Sequence, residues 1–203
     1  DLKAGSRVSV ASYKKDPFDF ILWKPSTTDQ PGWESRWGRG RPGWHLECSA
    51  MIREHLGSNI DIHGGGNDLK FPHHDNEIAQ SCCANGATSL ANYWVHNGFV
   101  EIDKEKMSKS IGNVLLVRDL LKDNPGEAIR LALLKTRYRE PINWNAQLIQ
   151  NAREQLDRIY GALDRLGNEE VSDDIQLDNM DAFWNAIDDD LNTPLALSEL
   201  MHI

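Results

Sequence analysis

Long hydrophobic runs are missing from this sequence. No stretch of the 203 residues approaches the roughly 18 apolar residues that a membrane helix needs, so a helical membrane protein is not expected. The opening DLKAGSRVSV has neither the apolar core nor the cleavage site of a secretion signal. Cysteine is scarce as well. Cys48, Cys82 and Cys83 are an odd number, and the last two are sequence neighbours that geometry seldom allows to bridge. This argues against a disulfide framework and for a reduced, cytoplasmic protein whose thiols serve packing or metal binding. Repeats and low-complexity tracts are absent, as is an initiator methionine. The final LSELMHI lies within an apolar periodic segment without a stop signal, so the chain is expected to be a piece of a longer one.

What is present suits an ordinary folded core, with 40% hydrophobic residues. The net charge of −9 is unevenly spread: residues 151–203 hold 13 acids and 3 bases, the preceding residues 18 and 19. Within that near-neutral part Arg130, Lys135, Arg137 and Arg139 cluster on a helical pattern. They form either a solvated face or a surface that meets phosphates.

Short strands are expected at 7–13 (RVSVASY) and 18–23 (FDFILW), followed by a loop, STTDQPGWESRWGRGRPGWH, whose glycines and prolines preclude regular structure. ECSAMIREH has helical spacing, and NIDIHGGG reads as a strand entering a glycine loop. PHHDNEIAQSCCANG is a helix opened near Pro72 and closed at Gly86. YWVHNGFVEID is a strand and turn, and KMSKSIGN a loop. After Asn113 the pattern turns mostly helical. Strand and helix alternate up to about residue 113, which predicts an α/β fold with part of a parallel sheet, then a helical region.

On a helix opened by Pro72, His73 and Glu77 stand four positions apart and share one face, at a spacing that suits metal ligands. Cys48, on or near another helix, is a candidate sulfur donor for an ion such as zinc. The plainer alternative is a surface His/Glu pair and a core cysteine. Cys82 falls about half a turn round from His73, so Cys82 and Cys83 are expected to pack in the core. His63 with Gly64, Gly65 and Gly66 lets a ligand approach the backbone, as a nucleotide does at the end of a parallel strand. The same four residues could form the oxyanion hole of an esterase, but the G-x-S-x-G nucleophile elbow is absent. Lys106, Met107, Ser108, Lys109 and Ser110 place two lysines and two hydroxyls on a loop that could fold over a polyphosphate.

Together these motifs resemble the class I aminoacyl-tRNA synthetases, and among them the cysteine-specific members. KMSKS matches the class I signature loop without departure. GWHLECSAM, DIHGGGNDLKFPHHDNEIAQS and NGFVEIDKEKMSKSIGN resemble the cysteine-specific enzymes in order and spacing, and the likeness covers nearly the whole chain.

The resemblance implies the second half of a Rossmann-like catalytic domain over 1–113, a stem-contact-like region over 114–145, and the start of a helical bundle over 146–203. It implies ATP-dependent activation of L-cysteine and its transfer to tRNA(Cys), with one zinc ion on Cys48, His73 and Glu77 and magnesium accompanying the ATP. By the same likeness Trp44 lines the substrate pocket, His63, Gly65 and Asp68 contact adenosine, and Lys109, supported by Lys106, meets the phosphates. Arg130, Lys135 and Arg137 would face the inner side of the tRNA. A monomer is expected. The family's fourth zinc ligand, an N-terminal cysteine, and its His-Ile-Gly-His type signature are not in this sequence, so the piece alone is expected to be inactive. Two alternatives remain: a paralogous cysteine ligase of mycothiol synthesis, and an RNA-binding module.

Overall fold

The computed structural model describes residues 14–167 and 180–202, in two compact units, Asp1–His96 and Asn97–Ile203. The strand expected at 7–13 lies outside the described residues.

The described part of the first unit opens with a turn rather than the strand expected at 18–23. Asp19 Oδ2 accepts from the Lys15 and Asp16 amides at 3.1 and 3.0 Å, and Asp16 Oδ1 accepts from Phe18 at 2.8 Å. Short acceptors of this kind draw backbone donors away from a ladder. Only Trp23–Pro25 (β1) is extended, pairing antiparallel with Gly40–Pro42 (β2). β2 falls in the loop expected to exclude regular structure. Gly40 can pair because it lacks a side chain: a Cβ there would stand 2.6 Å from the Lys24 carbonyl oxygen.

The helix Trp44–His55 (α1) follows, with Glu47 in its first turn and Arg53 and His55 in its last, the signs its dipole favours. The strand Ile60–Gly66 (β3) contains all three glycines, which were expected as a loop beyond its end. The Ile60 amide donates to the Leu90 carbonyl at 3.0 Å, and Gly64 faces the Val95 carbonyl. β3 and its partner Ala91–Asn97 (β4) therefore run in the same direction. The helix Asp75–Asn85 (α2) lies between them in sequence, as a parallel crossover requires. Helical backbone begins just after Phe71, whose φ of −135° and ψ of 134° are the extended values a residue before proline prefers. It ends at Gly86, left-handed at φ 64°.

α2 turns a polar face toward α1. Ser81 Oγ and Ser49 Oγ are 2.8 Å apart, and the Gln80 amide nitrogen donates to Ser49 Oγ and to the His45 carbonyl. This corrects the expectation for the cysteines. Glu77 and Ser81 take the buried positions of α2, leaving Cys82 half-buried and Cys83 exposed.

In the second unit Val100–Ile102 (β5) and Glu105–Lys106 (β6) form an antiparallel hairpin, and Ile142–Trp144 (β7) joins β5 in parallel, Val100 opposite Ile142. β7 lies in the gap between two expected helices, within a region expected to be mostly helical, since three residues are too few to show strand alternation. The crossover carries Val117–Leu120 (α3) and Gly126–Leu134 (α4). Ala146–Leu166 (α5) is capped by Asn145, whose side chain accepts from the Leu148 amide at 2.8 Å. Asp181–Asp188 (α6) and Thr193–Leu200 (α7) follow, the latter with Pro194 in its first turn. Ile129, Leu131, Ala132, Ile142, Trp144 and Ala152 form the core. Burying Ile129, Leu131 and Ile142 stabilises the unit by about 1.5–3 kcal/mol each. Among the described residues no helix is long and apolar enough to cross a membrane.

Candidate metal centre and signature loop

The first unit gathers imidazoles around one buried carboxylate. Glu77 is fully buried. Its Oε2 accepts from His63 Nε2 at 2.8 Å. His73 Nε2 stands 3.1 Å from Oε1 but off the hydrogen-bonding line, so Oε1 has no hydrogen-bond donor. A buried carboxylate oxygen without a donor costs free energy unless a cation faces it. Cys48 Sγ, a His73 ring nitrogen and a Glu77 oxygen lie within 4.8 Å of one another. That span suits ligands about 2.0–2.3 Å from a shared zinc ion. The three residues singled out by spacing are thus brought together.

A second triad, His63, His74 and Glu77, meets the same distance limit. It is the poorer site. His63 Nε2 is already committed to Glu77 Oε2, and His74 Nδ1 lies 2.8 Å from His96 Nε2.

The electrostatics of the first triad also call for a cation. Burial, and then the Glu77 carboxylate, push the Cys48 thiol above its ordinary value, so the thiol keeps its proton unless positive charge sits beside it. His73 is pushed down, chiefly by burial, with Glu77 opposing, which favours the neutral ring a metal ligand needs. His45 and His74 fall to about 4, first through burial and then through neighbouring imidazoles, so both are neutral at pH 7.

Trp44 is more than half exposed and stacks on His73 with ring centroids 4.2 Å apart. His45 and His96 were not singled out by sequence reasoning. His45 Nδ1 lies 2.8 Å from His73 Nδ1, and His96 is the buried partner of His74. A lone histidine beside a tryptophan or on a strand carries no spacing signal, so neither was visible in the sequence. Gly65 passes so close to His74 that a Cβ would stand 3.0 Å from its ring, and Gly66 packs against Asp68.

In the second unit the loop after β6 closes on itself. The Met107 amide donates to the Val100 carbonyl at 3.0 Å, the Ser108 amide to Asn113 Oδ1 at 2.9 Å, and Ser108 Oγ and Ser110 Oγ are 3.1 Å apart. Lys106 Nζ sits 3.8 Å from the centre of the Phe99 ring, and Lys109 is exposed. Asn113, unmarked by sequence reasoning, is the side chain that fastens this loop. Of the three basic residues expected to face tRNA, Arg130 is exposed on α4. Lys135 donates to Gln155 at 2.7 Å, and Arg137 pairs with Asp189 at 2.5 Å.

The fold is that of a class I synthetase catalytic domain. LeuRS from Agrobacterium radiobacter, solved in ternary complex with tRNA and LeuAMS, superposes with a TM-score of 0.60 at 17% identity, over 89% of this chain and 28% of that one. More narrowly, the chain belongs to the family described as tRNA synthetases class I (C) catalytic domain, whose sequence model matches residues 1–154. Curated relatives named cysteine–tRNA ligase are 61% identical over 203 residues in Maricaulis maris and 60% over 205 in Parvibaculum lavamentivorans. Each alignment covers all of this chain and 43% of the relative, so the chain spans less than half the length of these proteins.

Proposed function

We propose that this chain is part of a cytoplasmic, monomeric enzyme that activates L-cysteine with ATP and transfers it to tRNA(Cys), selecting cysteine through zinc held by Cys48, His73 and Glu77. The observation that carries the reading is the fully buried Glu77, whose Oε1 lacks a donor and whose carboxylate lies with Cys48 and His73 inside a 4.8 Å span. Family membership supports it independently.

The donor set of one sulfur, one nitrogen and one oxygen suits a borderline ion. When bound, zinc would take the substrate thiol as a thiolate, a distinction from serine that pocket shape alone supplies poorly. Trp44, stacked on His73, supplies the apolar wall beside the substrate side chain. The cysteine carboxylate attacks the α-phosphorus of ATP, and the bond to the β-phosphate oxygen breaks to release pyrophosphate. Lys109, with Lys106, stabilises the charge that develops there, while Gly65 and Asp68 and the open edge of His63 face adenosine. Magnesium accompanies the nucleotide. A ribose hydroxyl of tRNA then attacks the cysteinyl carbonyl, releasing AMP, and Arg130, Lys135 and Arg137 contact tRNA phosphates.

The test is pyrophosphate exchange into ATP by the full-length protein, with cysteine, with serine, and in a Cys48→Ala variant. Exchange with cysteine alone, lost in the variant, supports the reading. A folded, zinc-loaded protein that exchanges with neither amino acid refutes it.

A further inference from the structure

We infer that His45 and His63 are positioning residues of the metal centre, fixing which atoms of His73 and Glu77 are offered to the ion. The inference rests on the metal reading above and goes beyond its three ligands.

The argument concerns which lone pairs remain. Glu77 has two oxygens and no exposure. His63 Nε2 donates to Oε2 at 2.8 Å and ties that oxygen down, so the carboxylate cannot rotate without breaking the bond. Oε1 is then the oxygen left for the ion: it stands 3.1 Å from His73 Nε2 and is the one without a donor.

His73 has the corresponding choice between its nitrogens. Its Nδ1 lies 2.8 Å from His45 Nδ1, a distance at which one nitrogen donates and the other accepts. His73 Nε2 faces Glu77. A ligand nitrogen needs its lone pair free, so His73 carries its proton on Nδ1 and gives it to His45. His45 must then keep its own proton on Nε2. The stacked Trp44 and the tilted His45 ring, 4.2 and 5.0 Å from the His73 ring centre, hold the His73 plane. Partners that fix tautomer and orientation in this way commonly carry about 10–100-fold of a site's metal affinity.

His74 and His96 form a further buried imidazole pair behind the first. His74 packs against the His63 ring with centroids 4.6 Å apart. The pair serves as packing for His63.

Zinc affinity is to be measured on the full-length protein by competition with a chromophoric chelator, with cobalt spectra as a readout of sulfur ligation. Cys48→Ala gauges the metal reading itself: a parent that binds no zinc, or a Cys48→Ala variant that binds like the parent, overturns that reading. With Cys48 required, His63→Leu and His45→Phe are each expected to weaken zinc about 10–100-fold. His63→Gln, which retains an N–H donor, is expected to recover most of that loss. His63→Leu and His45→Phe variants that stay within twofold of the parent overturn the positioning roles and leave the ligands standing. A second measurement needs no substitution and holds even if those variants fail to fold. Long-range proton–nitrogen correlation in the zinc-loaded parent should show His73 protonated on Nδ1, and protonation on Nε2 overturns the inference.

Discussion

Arg139 and Asp190, 51 residues apart in the chain, meet through both guanidinium edges: Nη2 donates to Oδ1 at 2.8 Å and Nε to Oδ2. Tyr138 Oη donates to the same carboxylate at 2.8 Å, and Arg137 Nη2 reaches Asp189. Asp190 and Leu191 sit at φ 54° and 53°, left-handed values that non-glycine residues adopt reluctantly. The acidic turn between α6 and α7 is thus tied to the basic segment after α4.

The Asp190 carboxyl is held at about 2, below its ordinary value, first by the hydrogen bond from Arg139 and then by that from Tyr138. A folded value below the unfolded one means the carboxylate favours the folded state above about pH 4, and this contribution is lost as pH falls through 2. The stability difference between the parent and Asp190→Asn should therefore be full at pH 5, shrink as pH falls below about 4, and vanish only below about pH 2. Chemical denaturation across that range checks it, and a difference that does not change with pH excludes the carboxylate as its source.

Arg137 is 42% and Asp189 62% exposed in their side chains. A surface pair of this kind contributes only about 0–1 kcal/mol, so giving up Asp189 for an RNA phosphate would cost the arginine little. In the full-length protein Asp189→Asn should tighten tRNA binding by up to about fivefold, 1 kcal/mol being about that factor. Arg137→Glu should weaken it and flatten its salt dependence. Unchanged affinity in both variants, by fluorescence anisotropy at several salt concentrations, removes Arg137 from the interface.

How far the sequence reached depended on the range of each interaction. His73 and Glu77 are one helical turn apart, so their shared face followed from spacing, and Gly86 announced a helix end through local chemistry. Cys83 was misjudged because α2 buries its polar side, a choice imposed by Glu77, Ser81 and Ser49 across two helices. β7 was invisible because three residues have no period, and its strand character comes from pairing with β5 some 40 residues earlier. His45 acts through a partner 28 residues away, Nδ1 to Nδ1, which no local pattern encodes.

Asp103 and Lys104 link β5 to β6 with φ of 50° and 69°, the two left-handed residues of a tight hairpin turn. Lysine adopts that conformation at a cost that glycine avoids, part of which glycine returns through its larger unfolded-state entropy. Lys104→Gly should stabilise the unit by about 0.5–1 kcal/mol. Urea unfolding decides it, and a loss of stability would mean that the Lys104 side chain contributes more than its backbone costs.

Glu77 provides the sharpest separation between the apo and metal-bound states. In the zinc-free protein its Oε1 is buried without a donor, a burden of about 1–3 kcal/mol. Glu77→Gln keeps an oxygen for His63 and replaces the orphaned oxygen with an amide that can donate toward Cys48 or His73. Zinc-free stability should therefore hold or rise. With zinc the sign reverses, because the amide is a far weaker ligand than the carboxylate. Saturating zinc at about 1,000 times its Kd stabilises a folded site by about 4 kcal/mol, and the variant should forfeit most of that gain. Thermal melts with and without chelator test both halves. A variant that zinc stabilises as much as it does the parent would show that Glu77 is not a ligand. A variant that melts much lower with zinc absent would show that its charge is held by His63 alone and needs no cation.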